Sequence, residues 1–471
     1  MNISRYNIIE EFCGEDGKLE YLLFNSLHGS FASLDADAFE AYKRIDKSAA
    51  FFEDFCAQGF FTELSPEEEL NVQRSRFEHA RKSADEFAVC IAPTYACTCD
   101  CPYCYERFHD FPKGIMRDEI YDALLAFIKR RFECELFKKL SIQWYGGEPT
   151  LGLAGMLRFS SAAYNWCEEN SIPYEGLILT NCNTVGEEEV KALKDAHVGA
   201  ALITLDGPRD VHNIRRPAKD GGDSYERTMN TARLMQEASI QVNFIMNSDK
   251  TNFHYYQQMR DEFRKSYGIE YELTKCVDYD DKFGTEPFVK PGFELFEQEE
   301  FAQTYCDMFV GEGHSPQEYR ALLSPISHFC HGQTENYYVV DVRGDVYKCD
   351  GYMGNKDYVR FNLLDCEQAG DSSSSNSVAF PEDTHVHEVF VDPTCDERCA
   401  PCELLPVCMG TCFWERECVA RQKHRRGQMP CGALKTAIGG YLQGYRKSSG
   451  NIDKTAGFVI LANAFTEEEI L

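Results

Sequence analysis

The sequence predicts an α/β protein whose central part is a parallel β-sheet covered by helices. From residue 87 to about 280, segments rich in branched and aromatic residues alternate six times with stretches of helical periodicity. Such alternation produces a parallel sheet, either doubly wound or curled into a partial barrel. In both cases the active site lies at the carboxyl ends of the strands. A further observation is the cysteine content of 22, because many of these residues fall in two dense groups at 97–104 and 395–431.

Residues 1–85 are predicted to form a small separate unit. Its three short strands each end at Gly, Asn or Asp, and two helices follow them. The predicted strands are RYNIIEEF, LEYLLFN and GSFASLD, and the predicted helices are DADAFEAYKRI, behind Asp35 as N-cap, and SAAFFEDFCAQG. The charged stretch SPEEELNVQRSRFEHARKSADE at 65–86 is expected to be a connector.

The central region supplies six strands and the helices between them. The predicted strands are FAVCIAPT, KLSIQWYGG, YEGLILTN, GAALITLDG, IQVNFIMN and IEYELTKC. The predicted helices include RDEIYDALLAFIKRRFE, GEEEVKALKDAH and SYERTMNTARLMQEAS. From about residue 320 the pattern is less regular. There YYVVDVRGDVYKC predicts a hairpin that turns at Gly344, and GDSSSSNS at 370–377 predicts a flexible connector.

Charge and hydropathy narrow the class of protein. Lys and Arg total 48 against 77 Asp and Glu, and the resulting net charge of −29 argues against nucleic acid or an anionic membrane as the main partner. No apolar run approaches the ~20 residues of a membrane helix. The start MNISRYNIIEEF lacks the layout of a secretory signal, so we expect a cytoplasmic protein. In that reducing compartment, clustered thiols more often bind metal or catalyse than form disulfides.

The first cysteine group contains Cys97, Cys101 and Cys104 in the spacing C-x3-C-x2-C, directly after the first central strand. A zinc site needs four ligands, which normally arrive as two C-x-x-C pairs. An iron–sulfur cubane takes one thiolate per iron, so three cysteines would leave one iron open for a ligand that is not protein. Cys99 has the wrong spacing for this trio and is expected to point away.

This motif resembles that of the radical S-adenosylmethionine (SAM) enzymes, which carry it in a partial (β/α)6 barrel of the TIM type. The resemblance implies a [4Fe–4S] cluster whose open iron binds the amino and carboxylate groups of SAM. It also implies a 5′-deoxyadenosyl radical that abstracts hydrogen from a substrate.

Two further stretches resemble motifs of the same family. WYGGEPTL, after the second strand, is similar to the GGEP motif, and the resemblance implies that its members line the amino group of SAM: Gly146, Gly147, Glu148 and Pro149. ITLDGPRDVHNIRRP places Thr204 where the family usually has Ser, facing the cofactor. Arg227 is our candidate partner for the SAM carboxylate, with Arg215 and Arg216 as competitors.

The second cysteine group resembles the SPASM extension of radical SAM enzymes, with C-x13-G-x4-C and then C-x2-C-x5-C-x3-C and a last cysteine. The resemblance implies two auxiliary [4Fe–4S] clusters, which makes three in all. The implied ligands of one are Cys399, Cys402, Cys408 and Cys431, and those of the other are Cys330, Cys349 and Cys412. Its fourth ligand stays open, because sulfatase-maturing relatives have an extra cysteine where this chain has Asn336. Cys395 and Cys418 are spare cysteines that could complete it, and Asp350 is a candidate catalytic base.

The N-terminal unit resembles the winged-helix-like element that captures a leader peptide by adding a strand to its sheet edge. The implied domains are recognition (1–85), barrel (86–320), SPASM (321–450) and a C-terminal tail (451–471). We therefore expect a radical SAM oxidoreductase that forms thioether crosslinks in a ribosomally synthesised peptide, of the sactipeptide or ranthipeptide type. Its expected partners are the precursor peptide and a flavodoxin- or ferredoxin-like electron donor. The alternatives are a sulfatase-type maturase that makes formylglycine, a carbon–carbon crosslinking maturase, and a non-catalytic zinc protein that binds a peptide.

Overall fold

The computed structural model describes residues 1–13, 17–104, 114–276, 292–368, 392–421, 432–450 and 457–466. The chain divides into two compact units, each built from separate stretches of sequence. The first comprises Met1–Lys82, Glu297–Thr334 and His385–Leu471, and the second comprises Ser83–Phe296 and Glu335–Thr384. The division into four domains stays a prediction. The predicted connector at 370–377 lies outside the described residues.

The second unit is built on a sheet whose core is six parallel strands, which confirms the predicted α/β fold. These strands are β6 (Phe87–Ile91), β7 (Leu140–Trp144), β8 (Tyr174–Thr180), β9 (Ala200–Thr204), β10 (Gln241–Ser248) and β11 (Glu270–Lys275). They lie side by side in sequence order, each parallel to the next. Such a parallel sheet is typical of the partial barrel that the resemblance implied.

Three short strands extend this sheet beyond β6: β12 (Tyr337–Val340), β13 (Asp345–Tyr347) and β14 (Phe361–Asn362). The predicted hairpin is confirmed, since β12 and β13 pair antiparallel and Gly344 adopts a φ of +82° in the turn. β12 also pairs in parallel with β6. Local sequence did not indicate this partner, because hydrophobic pattern identifies a strand but not the neighbour with which it pairs.

Helices follow the strands of this unit and cover one face of its sheet. They are α4 (Asp118–Cys134), α5 (Leu153–Glu169), α6 (Glu187–Asp195), α7 (Arg209–Arg215), α8 (Ser224–Glu237), α9 (Tyr256–Tyr267) and α12 (Leu363–Gln368). Alternate strand residues such as Ile142, Ile178 and Phe244 are fully buried, while their neighbours Gln143 and Leu179 are half-buried. The strands therefore have one side that is fully buried and one that is less buried.

The first unit contains a four-stranded antiparallel sheet in the order β15-β4-β3-β2. Its strands are β2 (Asn7–Cys13), β3 (Leu19–Asn25), β4 (Ser30–Leu34) and β15 (Phe458–Ala462), and β1 (Asn2–Ile3) pairs separately with β5 (Phe61–Thr62). The three predicted N-terminal strands are present, as are the two helices α1 (Ala36–Lys43) and α2 (Phe52–Ala57). The fourth strand, β15, comes from the far end of the chain.

The predicted connector at 65–86 is wrong, because residues Pro66–Arg81 form the helix α3. Ser65 is its N-cap and Glu68 completes a capping box, with Pro66 in the first turn. Leu70 and Phe77 are buried on one side of the helix. The pattern S-x-x-E, formed by Ser65 to Glu68 at the start of this helix, is a helix-start signature, so the sequence contained the information.

The remaining helices of the first unit come from the later part of the chain. They are α10 (Gln298–Gly311), α11 (Pro316–Leu322), α13 (Leu405–Cys408), α14 (Phe413–Arg421) and α15 (Gly432–Ser448). Their apolar side chains, such as Tyr319 and Tyr441, pack with Phe24 and Phe31 of the sheet into one core. None of the helices in the described parts of the chain combines the length and apolar composition that a bilayer crossing requires.

Candidate functional site

A cavity of about 260 Å³ opens at the carboxyl ends of the central strands. Strands β7 to β11 each contribute residues from the position where they end, and the loop after β6 contributes cysteines. Lining residues from the strand ends include Tyr145, Asn181, Thr204, Asn247, Thr274 and Cys276. Parallel strands collect their terminal residues in this way because all their carboxyl ends meet at the same edge.

The three cysteines of the first group, Cys97, Cys101 and Cys104, all line this cavity. Cys99 is buried and does not belong to the lining, in keeping with its spacing. Its sulfur accepts a hydrogen bond from Asn183 Nδ2 at 3.1 Å. Among the described side chains, no three Cys, His, Asp or Glu residues converge as the ligands of a single metal ion do.

The thiols of this loop have different proton affinities. The Cys99 thiol, whose single proton can be donated to either neighbour, lowers the pKa of Cys97 to about 7 and also lowers the pKa of Cys101. Hydrogen bonding with these two neighbours raises the pKa of Cys99. The Cys97 sulfur also accepts from Asn181 Nδ2 at 3.3 Å. The lowered pKa values favour the thiolate form of Cys97 and Cys101, which is the form that binds iron. The raised pKa of Cys99 favours its neutral thiol.

Gly146 and Gly147 line the cavity where the turn after β7 meets the backbone of the cysteine loop. A Cβ at Gly147 would lie 2.3 Å from the carbonyl oxygen of Ala96, and one at Gly146 would lie 2.5 Å from that of Thr94. Gly146 also has a φ of +106°. Both positions therefore require glycine, and the close contact leaves main-chain groups at the cavity wall.

Glu148 lies behind this wall rather than in it. Its side chain is fully buried, and it accepts hydrogen bonds from Thr150 Oγ1 at 2.6 Å, Thr180 Oγ1 at 2.8 Å and Asn181 N at 2.8 Å. Burial raises its pKa. Pro149 is also buried and outside the lining. Glu148 thus fastens the end of β7 to the end of β8, and the sequence pattern did not reveal this positioning role.

Tyr103 joins a charged network at the cavity. Its hydroxyl donates to Asp206 Oδ2 at 2.5 Å and accepts from Arg216 Nη1 at 2.5 Å. Asp206 is fully buried and also accepts from the Asn247 backbone at 3.0 Å. Arg215 is buried beside Asp249, with Nη1 2.7 Å from Oδ2, and does not line the cavity. Arg216 is therefore the arginine that this structure places at the cavity wall.

Arg227 lies outside the cavity lining. Its Nη2 is 2.9 Å from Asp220 Oδ2, and the side chain is 36% exposed. Thr204, by contrast, lines the cavity. The role of Arg227 stays a prediction, and the geometry favours its competitor Arg216.

Sequence reasoning did not single out Asn181 and Asn247, although a signal was available. Each is a polar amide at the carboxyl end of a predicted strand, in YEGLILTN and in IQVNFIMN. Polar residues at the carboxyl end of a parallel strand are candidates for a site. Tyr103 was adjacent to the cysteine motif, but nothing in the pattern indicated its contact with Asp206.

Asp350 follows Cys349 in the second unit. The Cys349 sulfur is 3.7 Å from Asp350 Oδ1, and burial raises the Asp350 pKa while a hydrogen bond from Tyr145 lowers it. Tyr145 lines the cavity, whereas Asp350 does not. Asp350 is therefore connected to the cavity through the Tyr145 hydroxyl.

The second cysteine group contributes another cavity, in the first unit. Cys399, Cys402 and Cys408 line it together with three cationic side chains, Arg398, Arg416 and Lys435. Cys431, the predicted fourth ligand, lies outside the described residues, as does the Cys418 side chain. Cys395 is exposed and is not part of this lining.

The other predicted ligand set divides between the units, with Cys330 and Cys412 in the first and Cys349 in the second. Within the first unit, buried Gln333 connects the Cys330 and Cys412 segments. Its Oε1 accepts from the Cys330 backbone at 3.4 Å, and its Nε2 donates to the carbonyl oxygen of Met409 at 3.3 Å.

The buried side chain of Asn336 has a structural role. It is 3% exposed, donates to the carbonyl oxygen of Ser83 at 2.7 Å and accepts from Arg131 Nη2 at 3.1 Å. These contacts hold the side chain in the protein interior, so Asn336 does not supply a fourth ligand to the predicted set of Cys330, Cys349 and Cys412.

The residues at both cavities fit the implied cofactors. At the first, three thiols, two of them with a lowered pKa, adjoin exposed main chain and a guanidinium, which suits a cubane and the amino and carboxylate groups of SAM. At the second, three thiols among cationic and leucine side chains suit an anionic cluster.

Comparison with known proteins agrees with this chemistry. The sequence model of the Radical SAM superfamily matches residues 91–263. A cysteine-type anaerobic sulfatase-maturating enzyme of Clostridium perfringens is 24% identical over 335 residues, which are 67% of this chain and 85% of that protein. The radical SAM cyclopropyl synthase TigE of Paramaledivibacter caminithermalis is 19% identical over 440 residues, 83% of this chain and 86% of that protein.

Among solved structures, native anSMEcpe with bound AdoMet has a TM-score of 0.58 at 19% identity, covering 77% of this chain and 97% of that one. The same protein with AdoMet and the Cp18Cys peptide has a TM-score of 0.54 at 19% identity, covering 76% of this chain and 99% of that one. At this identity the likeness establishes the fold.

Proposed function

Residues 91–263 constitute a radical SAM domain, and from this premise we propose that the chain is an enzyme that forms thioether crosslinks in a ribosomally synthesised peptide. Such an enzyme joins a cysteine sulfur of the peptide to a carbon of an acceptor residue. The proposed cofactors are SAM and three [4Fe–4S] clusters, and the proposed partners are the precursor peptide and a flavodoxin- or ferredoxin-like electron donor.

When bound, these groups supply a 5′-deoxyadenosyl radical, which takes a hydrogen atom from the peptide, together with an iron site for a thiolate and a one-electron acceptor. Cys97, Cys101 and Cys104 would hold the first cluster. Gly146 and Gly147 leave room for the amino group of SAM, and Arg216 offers a guanidinium to its carboxylate. Asp350, joined to Tyr145, would take the proton of the substrate thiol.

The observation that carries the thioether proposal is the state of Asn336. Its buried side chain is held by Ser83 and Arg131, so no residue at this position completes the ligand set of Cys330, Cys349 and Cys412. An iron left open there would bind a substrate thiolate, which places the sulfur for bond formation.

The N-terminal sheet supports a peptide as substrate. An extended peptide can add to a sheet edge through main-chain hydrogen bonds. β15 occupies the β4 edge of this sheet, whereas among the described strands β2 is paired with β3 only. The β2 edge is therefore the proposed docking edge for the leader of the precursor.

The second candidate function is the oxidation of a Cys or Ser residue to formylglycine. The similarity to a sulfatase-maturating enzyme over 335 residues and the shared fold with anSMEcpe favour it. In this reaction Asp350 would again serve as the base, and no thioether would form.

Mass spectrometry of a cysteine-containing precursor peptide co-expressed with the enzyme separates these functions. A thioether removes two hydrogens from the peptide and blocks alkylation of the cysteine involved. A formylglycine instead reacts with a hydrazide probe, and a carbon–carbon crosslink leaves every cysteine open to alkylation. Either of the latter results would contradict the thioether proposal.

Metal analysis of anaerobically purified protein tests the cofactor set. Three cubanes predict about twelve irons per chain. Two or three zinc ions in colourless, iron-free protein would instead indicate the zinc-binding peptide-interaction protein.

A further inference from the structure

We propose that Arg416 raises the reduction potential of the cluster held by Cys399, Cys402 and Cys408. The inference rests on the proposed function, which includes that auxiliary cluster. Arg416 belongs to α14 and would be a positioning residue, because it acts on the cluster through a ligand and through its charge.

Arg416 is a buried cation in contact with one of the cysteines. It is 2% exposed, and its Nη1 lies 3.6 Å from Cys399 Sγ, within the range of a hydrogen bond to sulfur. The same nitrogen is 3.4 Å from Asp396 Oδ2. A guanidinium stays charged even when it is buried, so this site keeps a positive charge.

The local backbone is shaped around this side chain. Gly410 lies between Cys408 and Cys412 with a φ of +74°, and a Cβ there would come within 3.0 Å of Arg416 Cζ and 2.7 Å of Pro393 Cβ. The loop that connects two predicted ligands therefore leaves the space that the guanidinium fills. A larger residue at position 410 would occupy part of the space that the Arg416 guanidinium fills.

The surroundings make the charge effective. Leu404 and Leu405 are buried and line the same cavity. In such a medium of low polarity, charges interact more strongly than they do in water. Reduction adds one negative charge to a cluster, and both a nearby cation and an N–H···S hydrogen bond favour the reduced form. Arg416 therefore makes the cluster a better electron acceptor.

Asp396 opposes this effect in part. Its carboxylate pairs with Arg416 and also with Arg398, whose Nη2 is 2.9 Å from Oδ2. Arg398 lines the cavity too, but its side chain is 47% exposed, so solvent screens its charge. Arg416 is therefore the residue to test, and exposed Arg398 is its matched control. Replacement of Asp396 is expected to shift the potential in the opposite direction.

The experiment is a redox titration of the reconstituted full-length chain, followed by electron paramagnetic resonance. A background variant with Cys97, Cys101 and Cys104 changed to Ala removes the first cluster and leaves two auxiliary signals. In this background we expect Arg416→Met to lower one of the two midpoint potentials by about 59 mV, a tenfold change in the oxidised-to-reduced ratio for one electron. Arg416→Lys keeps the charge without the planar fork and should give a smaller decrease.

Two further variants test the electrostatic cause. Arg398→Met should shift the same midpoint less than Arg416→Met does, because its charge is exposed. Asp396→Asn removes a negative charge and should raise the midpoint. A purely structural role for Arg416 would not give shifts of opposite sign.

The inference is overturned if Arg416→Met leaves both midpoints unchanged, or if Arg416→Met and Asp396→Asn shift the midpoint in the same direction. If Arg416→Met does not take up iron, Arg416→Lys is compared with Asp396→Asn instead. Unchanged midpoints in Arg416→Lys, or shifts of the two variants in the same direction, would then overturn the inference. Iron content is measured first and should be about eight per chain in the background. A value near zero would refute both auxiliary clusters, a result distinct from an unshifted potential, and the inference would fall with them.

Discussion

The cysteines of the loop after β6 differ in pKa and in whether they line the cavity, and individual neighbouring residues cause these differences. Cys97 and Cys101 line the cavity and have a lowered pKa, while Cys99 has a raised pKa and is excluded from the lining. The spacing C-x3-C-x2-C predicted that Cys99 would stand apart from the other three cysteines, and the cavity lining agrees with this. The hydrogen bonds that reinforce the separation depend on the folded loop and on Asn181 and Asn183 from another strand end.

Replacement of Cys97, Cys101 and Cys104 by Ala is expected to abolish the production of 5′-deoxyadenosine from SAM. The reason is that no other residues in this loop have the spacing to hold the first cluster. Anaerobic protein, dithionite and SAM are incubated, and the nucleoside is measured by chromatography. Cys99→Ala is the matched control and should retain the activity. Continued production by the triple variant would refute the proposed radical site.

The two arginine candidates can be separated by mutation. Arg216→Gln should raise the SAM concentration for half-maximal cleavage at least about tenfold, since a hydrogen bond to a charged group contributes about 1.5–3 kcal/mol. Arg227→Gln should change it less than about twofold, because Arg227 lies outside the cavity and pairs with Asp220. The reverse order of effects would support the original prediction for Arg227.

At the scale of elements, the ends of β7, β8 and β9 are held by buried side chains whose positioning role the local sequence did not indicate. Glu148 joins the ends of β7 and β8. His212, in α7, accepts a hydrogen bond from the Asp206 backbone at 3.2 Å and fixes the loop after β9. Periodicity predicted the strands and helices because it reports burial along one element. It does not report which polar group fastens one loop to the next.

His212 predicts a pH dependence of stability. Burial lowers its pKa to about 3 in the folded protein, whereas the unfolded value is about 6.5. The unfolded chain therefore takes up this proton first as the pH falls. The stabilisation is complete above pH ~6.5 and decreases from there toward pH 3 by about 1.4 kcal/mol per unit.

Urea unfolding at pH 7.5 and pH 5.5 measures this effect. His212→Gln keeps an acceptor for the Asp206 N–H but cannot titrate, so the variant should lose about 1 kcal/mol less stability than the wild type between these pH values. His254→Gln, at a side chain outside this buried position, serves as control. Equal losses in the wild type and His212→Gln would contradict the assignment.

For the whole molecule, the sequence was most informative where strands follow one another and least informative where distant segments meet. All six parallel strands were predicted, because each has its own apolar pattern. The helix α3 was missed although Ser65 and Glu68 carried a capping signature. The pairing of β12 with β6 and of β15 with β4 could not be predicted, because neither partner is close in sequence.

The C-terminal segment predicts a stability effect in the first unit. Phe465 contacts Gly29, where a Cβ would lie 2.3 Å from its ring, and Arg320 stacks on it with Cζ 4.1 Å from the ring centroid. Phe465→Ala should lower the free energy of unfolding by about 1–3 kcal/mol, since the ring is partly buried.

Chemical unfolding measures the loss. Hydrogen exchange at Ser33 and Asp35 should become faster as β15 loosens, because the Asp35 N–H donates to the carbonyl oxygen of Gly457 at 2.8 Å and Ser33 lies on the same side of β4. Asn463→Ala changes an exposed side chain in the same segment and should leave both quantities near the wild-type values. Unaltered exchange in Phe465→Ala would show that this ring does not hold the strand.

The position of β15 has a consequence for biosynthesis. β4 is complete at Leu34, but its outer partner begins at Phe458, more than 400 residues later. At a translation rate of about 5–20 residues per second, the β4 edge of the nascent sheet would stay unpaired for roughly 20 to 80 seconds. An unpaired strand edge can pair with a neighbouring nascent chain on the same polysome. A chaperone that shields it until the ribosome has passed β15 should therefore increase the yield of native enzyme.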